Sequence, residues 1–185
     1  MTHFAHFPPG TLVYVLFDTA EANIVRTIPG LDAPPIARLA PRAVAEVLGG
    51  PVYNDGHVFW QIRVPRANVE GWTSQGDGRT LYLRTVIEQV VCPGLPTSFL
   101  QLRDRAMVTP FPPGANNVRR EPGLRPGNPV IGSIPNGGQM DIVDGPACVD
   151  GIVWWLVKAD NGAQGWTAEA QAGDRYLLPI EVGYQ

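Results

Sequence analysis

The chain repeats itself. Val25-Arg26 returns as Val118-Arg119, and Pro29-Gly30-Leu31 as Pro122-Gly123-Leu124, each 93 residues later. Gly50-Pro51 returns as Gly145-Pro146, Asp55-Gly56 as Asp150-Gly151 and Phe59-Trp60 as Trp154-Trp155, at 95 residues. Gly71-Trp72-Thr73 returns as Gly165-Trp166-Thr167, and Tyr82-Leu83 as Tyr176-Leu177, at 94 residues. The order is preserved throughout and the offset drifts only between motifs, where loops absorb insertions, so the pattern reads as duplication of a whole domain. A period near 94 residues lies well above the roughly 20–50 of solenoid units, so each copy is expected to own a core. The copies are residues 1–86 and 87–185. Residues 85–91, at the joint, contain no Ser/Gly tract and read as a continuous extended segment, a short and stiff connection.

Within each copy, turn residues set the element length. The chain holds 21 Gly and 19 Pro, 44% hydrophobic residues and 17% charged ones, too apolar for disorder and too rich in breakers for long helices. Short strands spaced by turns are the expected content. In the second copy the segments beginning at Met140, Val153 and Gly165 read as strands. Breaks are expected at Pro135 to Gly138, at Asp144-Gly145-Pro146, and at Asp160 to Gly162, with Asn161-Gly162 as a two-residue hairpin turn. The one helix-like stretch, residues 42–48, aligns with Asn136-Gly137-Gly138 in the other copy and is therefore read as strand and loop.

Alternation then sorts the aromatic residues. Lys158 should face water, so Trp155 and Val157 face the core, and Trp154 with Leu156 lies on the other side of the strand. Trp60, Trp72 and Trp166 join Trp155 as core or barrel-closing residues, since a small domain needs large apolar side chains. Trp154 has two readings. It forms a contact surface with Asp150 and Arg119, the weaker equivalent in the first copy being Phe59 with Arg26, or it packs beneath residues 145–153.

Residues spread across the second copy carry a family resemblance. They are Asn117-Val118-Arg119, Pro122-Gly123, Val130-Ile131-Gly132, Ile134-Pro135, Gly145-Pro146, Asp150-Gly151, Trp154-Trp155, Gly165-Trp166 and Tyr176-Leu177. In that order they resemble the bacterial SH3-like (Src homology 3) domain family. The first copy keeps Val25-Arg26, Pro29-Gly30, Gly50-Pro51, Phe59-Trp60, Gly71-Trp72 and Tyr82-Leu83. It departs where Ile36-Ala37-Arg38 and Ala40-Pro41 stand, so a shared fold is implied but not a shared ligand. The resemblance implies an all-β chain of two tandem SH3-like, partly open β-barrels, acting as attachment modules for peptidoglycan, peptides or other proteins.

Catalytic and cofactor chemistry finds little support. His3, His6 and His57 are the metal candidates, but the first two flank no helix and precede Pro8-Pro9, so no metal and no cofactor is expected. Ser74, Ser98 and Ser133 sit in no nucleophile motif, Cys92 and Cys148 have no local catalytic signature, and Asp55, Asp141, Asp144 and Asp150 read as turn formers or strand-face charges. The expectation is therefore a non-enzymatic binding or assembly protein. Its net charge of −3 with scattered basic residues excludes a nucleic-acid footprint. The mild negative charge favours a protein partner or self-assembly over anionic wall polymers, and peptidoglycan or wall-peptide binding is the alternative.

Location turns on the cysteines. Residues 1–10 lack Lys and Arg, and the apolar run at 11–17 is too short for a signal-peptide core or a membrane span. That points to a cytoplasmic product, unless this is the mature form of an exported one. Cys92 and Cys148 share the second copy, Tyr53 takes the place of Cys148 in the first, and the first copy has no cysteine. This distribution suits a disulfide, with two unrelated thiols as the alternative. A bridge would restrict the unfolded chain by about 4 kcal/mol and imply an oxidising, extracellular or envelope location.

Overall fold

A computed structural model describes residues 4–16, 23–110, 113–171 and 174–183. The chain divides into two compact units, Met1–Val86 and Ile87–Gln185. Among the described residues every element is a strand, and all pairings are antiparallel. The all-β, SH3-like class expected from the sequence is the one observed.

The first unit contains β1 (Leu12–Val15), β2 (Asn23–Arg26), β3 (Pro35–Leu39), β4 (Val44–Asn54), β5 (His57–Val64), β6 (Val69–Gly76) and β7 (Leu83–Thr85). They form one sheet in the order β3-β2-β6-β5-β4-β1-β7. The second unit contains β8 (Arg105–Val108), β9 (Asn116–Arg119), β10 (Val130–Ile134), β11 (Gln139–Val149), β12 (Ile152–Ala159), β13 (Gln164–Gln171), β14 (Asp174–Arg175) and β15 (Leu177–Glu181). Its sheet runs β10-β9-β13-β12-β11-β8-β15, with β14 added on β13. Setting β14 aside, the two orders are the same.

Each repeated motif has a local physical cause. Asp55-Gly56 and Asp150-Gly151 are two-residue hairpin turns with all four residues at positive φ, 49°, 74°, 54° and 74°, the geometry that matches the twist of the flanking strands. Both aspartates do more than turn the chain: Asp55 accepts the Leu31 N–H at 2.8 Å and Asp150 the Leu124 N–H at 2.6 Å. Gly71 and Gly165 must be glycine, since a Cβ would lie 2.6 Å from the Arg26 carbonyl oxygen and 2.5 Å from that of Arg119. The threonines two places on, Thr73 and Thr167, donate to the carbonyls of Ile24 and Asn117, both at 3.0 Å.

The core of each unit is built chiefly from apolar side chains. Val13, Val15, Val25, Val47, Trp60, Ile62 and Leu83 pack in the first. Val108, Val118, Met140, Ile142, Trp155, Val157 and Leu177 pack in the second, so Trp155 and Val157 face inward as alternation requires. A buried tryptophan removes some 150–250 Å² from water but brings an indole N–H that needs an acceptor. Trp60 finds one in Gln75 Oε1 at 2.8 Å, and Trp155 in Glu169 Oε2 at 2.7 Å.

Two sequence expectations are corrected. Asp144-Gly145-Pro146 is not a break: β11 runs through it, with register shifts on either side of Asp144 and a cis Gly145-Pro146 peptide. Proline and positive-φ glycine are tolerated inside a strand at bulges, which sequence patterns read as turns. Asn161-Gly162 is not a two-residue turn. The Gly162 N–H meets the Ala159 carbonyl at 3.0 Å and the Ala159 N–H the Ala163 carbonyl at 2.9 Å, a three-residue loop with Gly162 at φ 89°. β7 ends at Thr85, and the joint runs on to Val91 without a turn or bend. Beyond it the chain folds onto the second unit, where Cys92 and Leu100 enter the core with Val91 and Leu95 against them.

That packing predicts that residues 87–185 expressed alone unfold cooperatively and keep a near-ultraviolet tryptophan signal. Non-cooperative melting of the fragment would show that its core is incomplete.

Candidate functional site

A groove of about 150 Å³ opens on the second unit, lined by Val108, Thr109, residues 113–116 and Tyr176. Hydrogen bonds tie its lining to the neighbouring strands and loops. The Thr109 N–H donates to the Tyr176 carbonyl at 2.9 Å and the Tyr176 N–H to the Glu169 carbonyl at 2.7 Å. Thr109 Oγ1 donates to the Arg175 carbonyl at 3.0 Å. On the opposite wall, Gly114 N–H donates to Asn136 Oδ1 at 3.1 Å and Asn116 Nδ2 to the Ala168 carbonyl at 2.7 Å.

Behind this groove lies the most loaded polar centre of the unit. Glu169, on β13, is fully buried. Its carboxyl group receives Ser98 Oγ at 2.6 Å, the Phe99 N–H at 3.0 Å, Trp155 Nε1 at 2.7 Å and Arg175 Nη1 at 2.9 Å. Arg175 also donates to the Thr97 carbonyl at 2.7 Å and lies over the Phe99 ring, 4.4 Å from its centroid. Burial pushes the Glu169 pKa above the ordinary carboxylate value, against the opposing pull of these donors. The first unit places Gln75 at the matching position, and the difference follows the partner: Gln75 Nε2 donates to the Ala5 carbonyl at 3.1 Å. A leading segment that presents a carbonyl takes an amide. One that presents N–H and O–H groups takes a carboxylate.

The residues singled out from sequence sit elsewhere. Trp154 does lie on the opposite side of β12 from the core, but that side is covered: Trp154 is 2% exposed. It packs with Ile152 and Ala168, with Ala147, Val149, Trp166 and Tyr176 around them. Ala147 is its cross-strand neighbour, and the indole N–H donates to the Val149 carbonyl at 3.1 Å. Of the two readings of Trp154, the surface one is corrected and packing against residues 145–153 is found: side chains of the neighbouring strands, Ala147 and Val149 on β11 and Trp166 and Ala168 on β13, cover it with Tyr176. Phe59 is equally buried. Arg119 donates to the Asn128 carbonyl at 3.0 Å and Arg26 to the Ala33 carbonyl at 2.6 Å, each pinning the loop that follows its own strand. Asp150 holds Leu124, as above. The arginine–aromatic pairing foreseen at Arg119 and Trp154 is found at Arg175 and Phe99. Cys92 and Cys148 are disulfide-bonded, with Cα atoms 5.7 Å apart.

Strand pairing also creates a contact that linear motifs concealed. Phe59 pairs with Ser74 across β5 and β6, bringing His57 Nδ1 to 2.9 Å from Ser74 Oγ. Tyr82 stacks obliquely near His57 and Asp77 bonds to Tyr82, which with burial raises the tyrosine pKa. Ser74 is 7% exposed, and its hydroxyl also bonds the Gly76 backbone, so the arrangement buttresses the end of β6. His3 lies outside the described residues, and among the described residues no group of three or more His, Cys, Asp or Glu could hold a metal ion. Nor is any helix among them long and apolar enough to cross a membrane.

No protein-family model matches the chain, and no curated protein matches it. Two solved structures from Trichomonas vaginalis are similar. NlpC2 is 15% identical with a TM-score of 0.31, covering 89% of this chain and 48% of that one. NlpC1 is 14% identical with a TM-score of 0.31, covering 90% of this chain and 46% of that one. This chain therefore spans about half the length of each.

Two outcomes are expected. Trp154→Ala should destabilise the protein by about 3–5 kcal/mol, as a large-to-small change at a buried site does; unchanged urea unfolding would restore its surface role. Since the Glu169 pKa is raised in the fold, its carboxyl favours folding most below the unfolded value near 4.5 and less as pH climbs through the raised value. The stability gap between wild type and Glu169→Gln should therefore narrow from acid toward neutral pH. A gap that widens would mean that the four donors outweigh burial.

Proposed function

We propose that this chain is a non-enzymatic recognition or assembly protein built from two bacterial SH3-like modules, the product of a domain duplication, and that the groove beside Tyr176 takes an extended peptide segment of a protein partner. The observation that carries the reading is the groove itself. Its 150 Å³ is below the roughly 300–1,000 Å³ of small-molecule sites and suits one or two side chains of a larger partner. A tyrosine, a proline, a threonine and exposed backbone line it, the mixture of apolar surface and hydrogen-bonding groups on which peptide recognition relies.

Two further features support a protein partner. Leu31 and Leu124, at matching motif positions, are 42% and 49% exposed, and Ile36 and Ile131, at matching register on β3 and β10, are 45% and 47% exposed. Apolar side chains left in water at the same places on both units favour protein contact over a charged polymer. The Cys92–Cys148 bridge supports an oxidising setting, and so an envelope or extracellular assembly.

Ala115 is exposed and lines the groove, so Ala115→Arg fills it without touching the core. Screened against immobilised extended peptides, the full chain should select binders that the variant loses by about tenfold or more, with its melting temperature unchanged. Light scattering over a range of concentrations reports self-assembly. Co-sedimentation with purified peptidoglycan that survives Ala115→Arg, in a chain that selects no peptide, would replace this reading with wall binding.

A further inference from the structure

The segment between Thr85 and β8 leads into the second unit, as the stretch that carries the buried Phe7 leads into β1 in the first. In the second unit it doubles back on itself. Gln89 and Ser98 exchange backbone hydrogen bonds, each 2.8 Å, and Thr97 Oγ1 donates to Glu88 at 2.6 Å. The resulting strap, residues 87–99, is held to the barrel at two places. One is covalent, Cys92 to Cys148 on β11. The other is polar: Thr97, Ser98 and Phe99 meet Arg175 and Glu169.

We infer that the Cys92–Cys148 disulfide is a redox latch on this strap, whose reduction loosens the wall of the peptide groove. The path runs through contacts already described. Glu169 and Arg175, which grip the strap by their side chains, support Tyr176 and Thr109 through their backbone carbonyls, and those two residues line the groove. With the bridge closed, residues 93–99 are tethered at both ends, by Cys92 on one side and the buried Leu100 on the other. With it open, Cys92 is held by its packing and by the Gln89–Ser98 backbone bonds, while Glu169 and Arg175 hold only the trailing end, Thr97 to Phe99. The cost of local opening then falls, because the segment between residues 86 and 100 regains the chain entropy that the crosslink had removed.

The bridge is placed to be opened. Cys148 is exposed while Cys92 is 1% exposed, so an external dithiol reaches one sulfur. Its thiolate attacks Cys148 Sγ, the S–S bond breaks, and Cys92 leaves as a thiolate that takes up a proton. The second thiol of the reductant then resolves the mixed disulfide, freeing Cys148 as a thiol and leaving the reductant as its disulfide, a two-electron, two-proton exchange.

The inference rests on the groove reading for its functional consequence, but its test does not. Hydrogen exchange of the full chain is compared with and without dithiothreitol, and for the Cys92→Ser, Cys148→Ser double variant. The amides of Leu95, Phe99 and Leu100 should exchange about tenfold or more faster on reduction. Those of Thr109 and Tyr176 should follow, and those of Val157 and of the first unit should hold. Reoxidation should restore protection in wild type, which keeps the test informative if the variant fails to fold. Unchanged exchange in the strap overturns the inference. So does collective loss of protection across the second unit, which would make the bridge a staple of the whole barrel. A peptide screen without binders, alongside a strap that opens on reduction, would overturn the groove reading and leave the latch standing.

Discussion

Everything else in each unit is arranged round one indole N–H. A barrel of about 90 residues cannot fill its interior without a side chain the size of tryptophan, and Trp60 and Trp155 supply it. A buried N–H left without an acceptor would cost about 1–3 kcal/mol. The acceptor comes from the neighbouring long strand, Gln75 in one unit and Glu169 in the other. Having been buried for that purpose, the acceptor must have its own remaining valences satisfied, and this is what draws the leading segment of each unit onto the barrel. Ala5 answers Gln75, and Ser98 with Phe99 answers Glu169. The carboxylate then needs a cation, which explains Arg175 and the short β14 strand that carries it.

Several of the residues that recur in both halves turn out to be scaffolding. Asp150 and Asp55 brace a distant loop, Arg119 and Arg26 pin a following loop, and Gly165 and Gly71 make room for a carbonyl oxygen. Reading Trp154, Arg119, Asp150 and their first-unit equivalents as contact residues therefore selects residues already committed to the fold. What differs between halves is more informative about activity: the Cys92–Cys148 bridge, Glu169 in place of Gln75, and the polar His57–Ser74 contact where the other half places Ile152 and Ala168.

The amino-acid sequence by itself determined the all-β class, the turn-forming role of Asp55 and Asp150 and the inward facing of Trp155 and Val157, and it made a bridge between Cys92 and Cys148 one of two readings. These depend on local backbone preference, strand alternation and the placement of cysteines, all of which are written along the chain. It left undetermined whether Trp154 meets solvent, because alternation tells one side of a strand from the other but not what covers each side. Only the tertiary structure decided that side chains of β11, β13 and Tyr176 would cover Trp154, that the segment after the joint would fold into a strap, and that Glu169 and Arg175 would become the centre of the second unit. Those outcomes depend on pairings between residues some 50 to 80 positions apart, where the cost of burying a polar group is met by a partner that no local pattern identifies.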